Sequence, residues 1–488
     1  MDDTYLAHAL QQSGIEFAYT SKEGLEFCAR NLQKACAGSK LLSVEQLVWG
    51  LYLLARRHDQ ESIKDAIPGV ALTDVNKVRT ILKECKWTAA AYQDTAEQVL
   101  QMTQVSEQDL VVFQSQSNLN RPAYFLAVDR SAAELTLVIR GTKNKKDILT
   151  DLAAASEEVA GGHAHTGMLI AACWFVDNEI ERLSCLLKDL PTYNLKILGH
   201  SLGAGTAAVL TFLIHTHLSH LIPTERVSCI GIATPACLSY ELAQATTMSY
   251  ITTVVLEDDI VPRLSLKAIQ DLQMEMLTAD WKNDIPDGCL KKDFLNALNS
   301  ASECTDSVAD SMAQACAQAK STAVEAAVNY QPITGLGRAL KGMVFSSGAP
   351  ADGNDASLKS SSPSGSIVGM LAGYDPKTPI GQKLKAALVS DGKDAAAAGS
   401  ADIPEPSGEG YPTVPGTHKS IREPPGQVAL YAPGELLHVV RLPGGGCSVV
   451  QGAPGVRFQR ICLTKTMVSD HLLDSYLDAL DQAVTAMQ

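Results

Sequence analysis

The stretch KILGHSLGAGTAAVL, residues 196–210, sets a serine between two glycines where a β-prone run gives way to a helix-prone one. On so tight a strand-to-helix turn, side chains two positions to either side of the serine would collide with the strand or the helix. Gly199 and Gly203 remove that obstacle around Ser201. The pattern therefore predicts a sheet whose carboxyl edge carries Ser201, beside the free N–H groups of the following helix. A plain structural turn is the alternative.

Composition narrows the kind of protein to which this sheet belongs. Of the 488 residues, 46% are hydrophobic and 19% are charged, which is a globular balance. The net charge of -14 argues against nucleic acid as a partner and against broad adsorption to anionic membranes. The N-terminus lacks the pattern of a secretory signal, and no stretch reaches the ~20 apolar residues of a membrane span. We therefore expect a cytoplasmic protein, at most peripheral on a membrane.

The cysteines carry no metal-binding pattern. Twelve of them are scattered from Cys28 to Cys462, and no two are spaced as C-x-x-C. This distribution is typical of free thiols in a reducing compartment and predicts no zinc site.

The apolar pattern divides the chain into four segments. Residues 1–110 are predicted to be helical. Residues 111–265 alternate strands with helices, and residues 425–488 return to strands before a terminal helix. Between them, 266–424 is an insertion rich in Ala, Gly, Ser and Pro, predicted to be partly helical and largely disordered. Strands alternating with helices predict an α/β fold with a mostly parallel central sheet.

Individual elements follow from the same pattern. A capping box is predicted at Ser43, and an amphipathic helix is predicted from Val75 to Cys85. Further helices are predicted over 168–187, from the serine turn to about 217, over 240–247 and over 472–487. Strands are predicted at 110–115, 123–129, 134–141, 195–198, 227–235, 250–259, 427–433, 435–442 and 458–464.

A serine hydroxyl is a poor nucleophile unless a base contacts it and an acid orients that base. In a glycine-flanked elbow of this kind, the acid follows the serine along the chain and a histidine base comes last. The acid is expected at the end of a later strand. The strand at 250–259 ends in three acidic residues, Glu257, Asp258 and Asp259, and the periodicity does not choose among them.

Three histidines follow those acids. His418 lies in the predicted insertion, and His438 lies within an alternating strand, where a packed histidine is more common than a base. His471 stands between the last predicted strand and the last helix, and a loop past the sheet edge is the right place to reach Ser201. It is therefore the predicted base. His200 is excluded, because a direct neighbour of Ser201 points the opposite way.

The sequence around these residues resembles that of the class 3 lipases, the fungal triacylglycerol lipase-like α/β-hydrolases. Among them it is most similar to the sn-1-specific diacylglycerol lipase branch. The resemblance covers about 120–265 and 425–485. It rests on LVIRGTKNKKDILTDL at 137–152, AHTGML at 164–169, GHSLGAG at 199–205, DIVPRL at 259–264 and SDHLLDSYLDAL at 469–480.

The resemblance implies a catalytic role for each matching residue. Ser201 would be the nucleophile, Asp259 the acid that orients the base, and His471 that base. Thr142 would donate to the oxyanion, with the backbone N–H of Leu202 as the second donor. The turn after the predicted strand that precedes Thr142 can lie beside the elbow, which agrees with this role.

Three further residues match the family's pattern without a direct catalytic role. Asp147 and Asp151 would form turns and caps in their loop, and His165 would pack or hydrogen-bond beneath the site.

The resemblance also implies an activity. The chain would be a serine lipase that releases a fatty acid from a glycerolipid, diacylglycerol being the expected substrate, and it would need no metal or organic cofactor. It would meet that lipid at a membrane or lipid-droplet surface. Two other functions stay open: an esterase or phospholipase acting on another acyl ester, and a catalytically silent lipase-like signalling scaffold.

Overall fold

The computed structural model describes eight stretches of the chain. They are residues 28–29, 50–58, 69–118, 121–143, 156–244, 248–278, 428–452 and 455–488. The capping box at Ser43, the loop residues Asp147 and Asp151, His418, and residues 279–424 of the predicted insertion lie outside these stretches.

The described residues form strands and helices that alternate through the first core segment. The strands are β1 (Val70–Ala71), β2 (Leu110–Gln114), β3 (Tyr124–Asp129), β4 (Glu134–Ile139), β5 (Ser156–Val159), β6 (Gly162–His165), β7 (Asn194–His200), β8 (Val227–Ile232), β9 (Leu238–Ser239), β10 (Ile251–Leu256), β11 (Leu430–Tyr431), β12 (Glu435–Arg441) and β13 (Cys447–Gln451). The helices are α1 (Val75–Ala90), α2 (Ala96–Thr103), α3 (Thr166–Asn178), α4 (Ile180–Asp189), α5 (Leu202–His217), α6 (Tyr240–Ala243), α7 (Leu266–Thr278) and α8 (Leu473–Ala486).

Nine of these strands form one sheet, in the order β1-β13-β12-β10-β8-β7-β4-β3-β2. Its centre is parallel, because β12, β10, β8, β7 and β4 pair with one another in parallel register. The strands β3 and β13 run antiparallel to their neighbours at the two sides. The carboxyl ends of the central strands therefore meet at one edge, as an α/β fold with a mostly parallel sheet requires. A smaller sheet has the order β11-β9-β6-β5.

Helices cover both faces of the large sheet. On one face, apolar residues of α1 and α8 share a single buried cluster with β3, β4, β7, β8, β10, β12 and β13. On the other face α5 packs on β7 and β8, and α3 packs on α5. Leu198 on β7 is buried and faces the helices α1 and α8. Because side chains alternate along a strand, Leu195 and Ile197 face the opposite side of the sheet, where α5 packs. None of the described helices combines the length and the apolar character that a membrane span requires.

Two predicted elements differ from the structure by more than the positions of their ends. The helix expected over 168–187 is divided between α3 and α4 at Glu179, whose backbone leaves the helical region at φ -120° and whose carboxylate accepts a hydrogen bond from the Tyr124 hydroxyl at 2.7 Å. The strand expected at 458–464 is a 3-10 turn over Gly455–Gln459 followed by a loop. Phe458 in this turn is buried. However, the Arg263 guanidinium donates hydrogen bonds to the backbone carbonyls of Arg457 and Arg460, so these carbonyls pair with a side chain rather than with a neighbouring strand.

Helix α1 brings a carboxyl group under the sheet. The side chain of Glu84 is 3% exposed and its carboxylate lies 3.9 Å from the Lys196 ammonium on β7, which lies closer, at 3.0 Å, to Glu134. Burial raises the pKa of Glu84 to about 7, against an ordinary value of 4.5. The folded protein therefore holds a proton on Glu84 at a pH where the unfolded chain has released it.

This proton makes stability fall as pH rises between about 4.5 and about 7, since the folded state binds more protons than the unfolded state there. Glu84→Gln removes the titrating group and keeps the shape. The free energy of unfolding of the variant minus that of the wild type is expected to increase by about 2 kcal/mol from pH 5 to pH 8. Urea unfolding at the two pH values measures the difference. A free energy of unfolding that changes equally in the two proteins from pH 5 to pH 8 would contradict the expectation.

Candidate active site

The turn between β7 and α5 holds Ser201 in an unusual backbone conformation. Its φ is 57° and its ψ is -130°, a region that residues with a side chain rarely occupy. The Ser201 N–H donates to the Ile232 carbonyl on the adjacent strand at 3.0 Å, and the Ser201 carbonyl accepts from the N–H of Ala204 at 2.9 Å. The strained residue is therefore held by the sheet on one side and by the helix on the other.

The two flanking glycines leave the space that this turn needs. A Cβ on Gly199 would lie 2.4 Å from the Gly203 carbonyl oxygen, and a Cβ on Gly203 would lie 2.3 Å from the Ile139 carbonyl oxygen. Both obstacles are backbone atoms of the elbow or of the neighbouring strand. The glycines thus have the steric purpose that the pattern predicts.

Ser201, His471 and Asp259 lie in one hydrogen-bonded line. The Nε2 atom of His471 lies 3.0 Å from the Ser201 hydroxyl, and its Nδ1 lies 3.1 and 3.2 Å from the two carboxylate oxygens of Asp259. Asp259 stands in the turn after β10, and His471 stands in the loop before α8. All three residues are buried. Asp259 follows Ser201 by 58 residues, and His471 follows Asp259 by 212 residues, yet all three meet at the carboxyl edge of the sheet.

Asp259 accepts hydrogen bonds from three groups. Besides the His471 ring, the Val261 N–H donates to it at 2.9 Å and the Tyr476 hydroxyl at 2.7 Å. The Tyr476 oxygen itself accepts the Leu256 N–H at 2.9 Å, which leaves its proton for Asp259. Burial and the charge of Asp259 raise the pKa of Tyr476 well above its ordinary value, so this hydroxyl stays a donor.

These contacts select one tautomer of His471. A carboxylate only accepts, so the proton on the His471 ring belongs on Nδ1, facing Asp259. The Nε2 atom then carries a free lone pair towards the Ser201 hydroxyl. This arrangement can take a proton from Ser201.

The other two candidate acids, and the one other candidate base that the structure describes, have different partners. Asp258 pairs with Arg263 at 3.4 Å, and Glu257 accepts the backbone N–H of Arg441. His438 is buried in β12 and donates from Nε2 to the Glu257 carbonyl at 3.0 Å. Burial lowers its pKa to about 3. Of the three acids that end the strand region, Asp259 is the one that contacts His471.

The two predicted oxyanion donors lie at the rim of the elbow. Leu202 is the first residue of α5, where the backbone N–H has no partner within the helix. Thr142 directly follows Gly141, and a Cβ on Gly141 would lie 3.0 Å from the Cβ of Ser201. The turn after β4 therefore passes beside the nucleophile candidate, as predicted. The assignment of Thr142 and Leu202 as donors stays a prediction.

Three residues at the site had no predicted function. Tyr476 lies within the SDHLLDSYLDAL stretch, five residues after His471, and that proximity is a usable signal. His200, excluded as the base, bonds through its ring to the Tyr92 hydroxyl and to the His471 carbonyl. No sequence signal joins Tyr92 to residues more than a hundred positions away. His165, predicted to pack or hydrogen-bond beneath the site, accepts the Met168 N–H and so caps α3.

Comparison with known proteins finds similarity to one family over part of the chain. Residues 136–269 match the model of the family Lipase (class 3). Human diacylglycerol lipase-alpha is 32% identical over 182 residues, which cover 35% of this chain and 17% of that protein. Mouse diacylglycerol lipase-beta is 26% identical over 189 residues, which cover 37% of this chain and 27% of that protein. The matches thus span between 17% and 27% of the length of these relatives.

Solved structures of fungal lipases are also similar. The lipase of Rhizopus microsporus var. chinensis is 20% identical, with a TM-score of 0.35, over 41% of this chain and 73% of its own. The Lip2 lipase of Yarrowia lipolytica is 18% identical, with a TM-score of 0.34, over 41% of this chain and 78% of its own. The fold assignment does not depend on these fungal structures; it rests on the sheet topology and the elbow of this chain. Together with the family match and the diacylglycerol lipase relatives, the topology and the elbow show that the chain carries a class 3 lipase domain with an α/β-hydrolase fold. This domain is similar to that of the diacylglycerol lipases.

Proposed function

We propose that this chain is a serine lipase that hydrolyses an acyl ester of a glycerolipid, with diacylglycerol as its substrate. One observation carries the proposal: His471 Nε2 lies 3.0 Å from the Ser201 hydroxyl while Asp259 holds the opposite side of the same ring. A hydroxyl in contact with an oriented base is the arrangement that acyl transfer needs. The names of the similar diacylglycerol lipases supply the substrate class.

The reaction would begin with proton transfer from Ser201 to His471 Nε2. The Ser201 oxygen attacks the ester carbonyl, and the oxyanion that forms is held by the Leu202 N–H and by Thr142. Each such donor contributes about 3 kcal/mol of transition-state stabilisation in related chemistry. His471 then protonates the leaving glycerol oxygen, which leaves an acyl group on Ser201. Water, deprotonated by His471, attacks this acyl-enzyme; the fatty acid leaves, and His471 returns the proton to the Ser201 oxygen.

Asp259 would act by keeping His471 productive throughout. Its carboxylate holds the Nδ1 proton and compensates the positive charge that the ring gains in both steps. The Tyr476 hydroxyl and the Val261 N–H fix the carboxylate in turn. No residue in this scheme needs a metal or an organic cofactor.

The substrate also suggests where the protein works. Because diacylglycerols aggregate in water, we propose that the chain acts at a lipid surface, as a peripheral protein of a membrane or a lipid droplet. Cytoplasmic localisation remains part of this proposal.

Two measurements on the purified chain test the function. A fluorophosphonate probe is expected to label the native protein, and mass spectrometry is expected to place the label on the peptide that contains Ser201. Dispersed diacylglycerol is expected to release free fatty acid, faster when the substrate forms an interface. Heat-denatured protein is the control for labelling.

The same panel separates the alternatives. Labelling together with preference for a phospholipid, galactolipid, monoacylglycerol or small soluble ester would keep the mechanism and change the substrate. A native protein that neither reacts with the probe nor hydrolyses any ester would refute the proposal and support a silent scaffold.

A further inference from the structure

His200 is the last residue of β7 and directly precedes Ser201. The residue is 6% exposed, and its ring bonds to two groups from distant parts of the chain. Nδ1 lies 2.7 Å from the Tyr92 hydroxyl, and Nε2 lies 3.0 Å from the backbone carbonyl of His471. Tyr92 follows the end of α1, so this side chain comes from the N-terminal helical segment. His200 thus connects that segment to the residue proposed as the base.

The direction of each hydrogen bond follows from the partners. A carbonyl only accepts, so His200 Nε2 carries the proton that points to His471. Burial lowers the pKa of His200 to about 3, and the neighbouring His471 acts in the same direction, so the ring is neutral near pH 7. A neutral ring with a proton on Nε2 accepts at Nδ1. The Tyr92 hydroxyl must therefore donate to it.

Tyr92 also lies beside the turn after β4. A Cβ on Gly141, the residue before Thr142, would lie 2.8 Å from the Tyr92 oxygen. Two hydrogen bonds run in one direction, from Tyr92 to His200 and from His200 to the His471 carbonyl. They join the end of α1 to the loop of His471.

The two histidine rings also stack. Their centroids are 4.8 Å apart and their planes differ by 26°. A positive charge on His200 would repel the imidazolium that His471 becomes during acyl transfer. A neutral His200 adds no such repulsion, and its Nε2–H fixes the backbone of the base while Asp259 fixes the ring.

We propose that Tyr92 and His200 are positioning residues, which hold the backbone of His471 so that its Nε2 stays in line with the Ser201 hydroxyl. This inference rests on the proposed function and adds to it a contribution from the N-terminal segment, since Tyr92 lies outside the matched residues 136–269. Small displacements of a catalytic group are costly: about 1 Å can lower a rate about 100-fold.

Three substitutions test the hydrogen bonds apart from the packing. Tyr92→Phe removes the hydroxyl alone. His200→Met removes the ring, and His200→Gln has similar length but retains an N–H in the place of Nε2. The rate constant of fluorophosphonate labelling is expected to fall about tenfold in Tyr92→Phe and about thirtyfold in His200→Met, and to stay within about threefold of wild type in His200→Gln. For diacylglycerol hydrolysis, kcat is expected to fall by similar factors while KM is unchanged.

Tyr124→Phe is the matched control. It also removes a buried hydroxyl, one that donates to Glu179 at 2.7 Å. Thermal unfolding is expected to show a lower transition temperature for this control, with an unchanged labelling rate. A Tyr92→Phe protein that labels like wild type, or an equal loss in His200→Gln and His200→Met, would overturn the positioning role.

A double variant tests the route. In a His200→Met background, Tyr92→Phe is expected to cause no further loss, because Tyr92 acts through His200. A further tenfold loss would mean that Tyr92 acts by a route other than His200 and would overturn the proposed chain of hydrogen bonds. A wild-type protein without reactivity would overturn the proposed function and this inference together. Tyr92→Phe and His200→Met proteins that label as fast as a reactive wild type would overturn this inference alone.

Discussion

Replacing Asp259 by asparagine is expected to lower kcat for ester hydrolysis about 10,000-fold, the loss found when the aspartate of a serine protease triad is exchanged in this way. Asp259 accepts from the His471 ring, the Val261 N–H and the Tyr476 hydroxyl. An asparagine has one acceptor oxygen and an NH2 group that only donates. If that NH2 group faces His471, the ring is driven to carry its proton on Nε2, where it can no longer accept the proton of Ser201.

Steady-state hydrolysis of dispersed diacylglycerol measures the loss, with Ser201→Ala as the floor of the assay. Asp258→Asn and Glu257→Gln are the matched controls, because these acids adjoin Asp259 in sequence. Asp258 pairs with Arg263, and Glu257 accepts the N–H of Arg441, so neither contacts His471. Both variants are expected to retain kcat within about threefold of wild type. A loss in Asp258→Asn as large as that in Asp259→Asn would show that the acid is wrongly assigned.

The core of the fold could be predicted because its strands are short apolar runs bounded by turn residues. The expected strands at 110–115, 123–129 and 134–141 correspond to β2, β3 and β4 within one or two residues. The hairpin of β5 and β6 escaped prediction, since its sequence SEEVAGGHAH has few apolar residues. The strand predicted at 458–464 was wrong for the opposite reason. Its apolar residues are buried, but burial alone does not tell a strand from a loop tied by an arginine.

The site could be predicted only as far as local pattern reaches. The elbow is local, so Ser201 follows from its two glycines and from the strand and helix around it. The acid does not follow in that way, because β10 ends at Leu256 and the alternation of a strand says nothing about the residues beyond it. The resemblance to class 3 lipases was needed to prefer Asp259. The contacts of Tyr92 and Tyr476 depend on how α1 and α8 pack on the sheet, which no local pattern specifies.

Gly203→Ala is expected to unfold the elbow and abolish activity, although alanine is the better helix former. Gly203 is the second residue of α5, and exchanging glycine for alanine in a helix normally stabilises it by up to about 1 kcal/mol. Here the new Cβ would lie 2.3 Å from the Ile139 oxygen and 2.7 Å from the Arg140 carbonyl carbon. These are backbone atoms at the end of β4, which pairs with β7 up to Gly199, so they can move only if the central sheet is disturbed. Overpacking of this kind costs about 3 kcal/mol, so the clash outweighs the gain.

Gly167→Ala is the same exchange at the second residue of α3, and it provides the control. A Cβ there would meet nothing nearer than the His165 ring at 3.5 Å, an ordinary contact. Urea unfolding is expected to show a loss of about 2 kcal/mol or more for Gly203→Ala and a gain of up to about 1 kcal/mol for Gly167→Ala. The labelling rate of Ser201 is expected to vanish in the first variant and to be unchanged in the second. Equal stability and reactivity of the two variants would mean that the elbow tolerates a methyl group, and the steric purpose assigned to its glycines would be wrong.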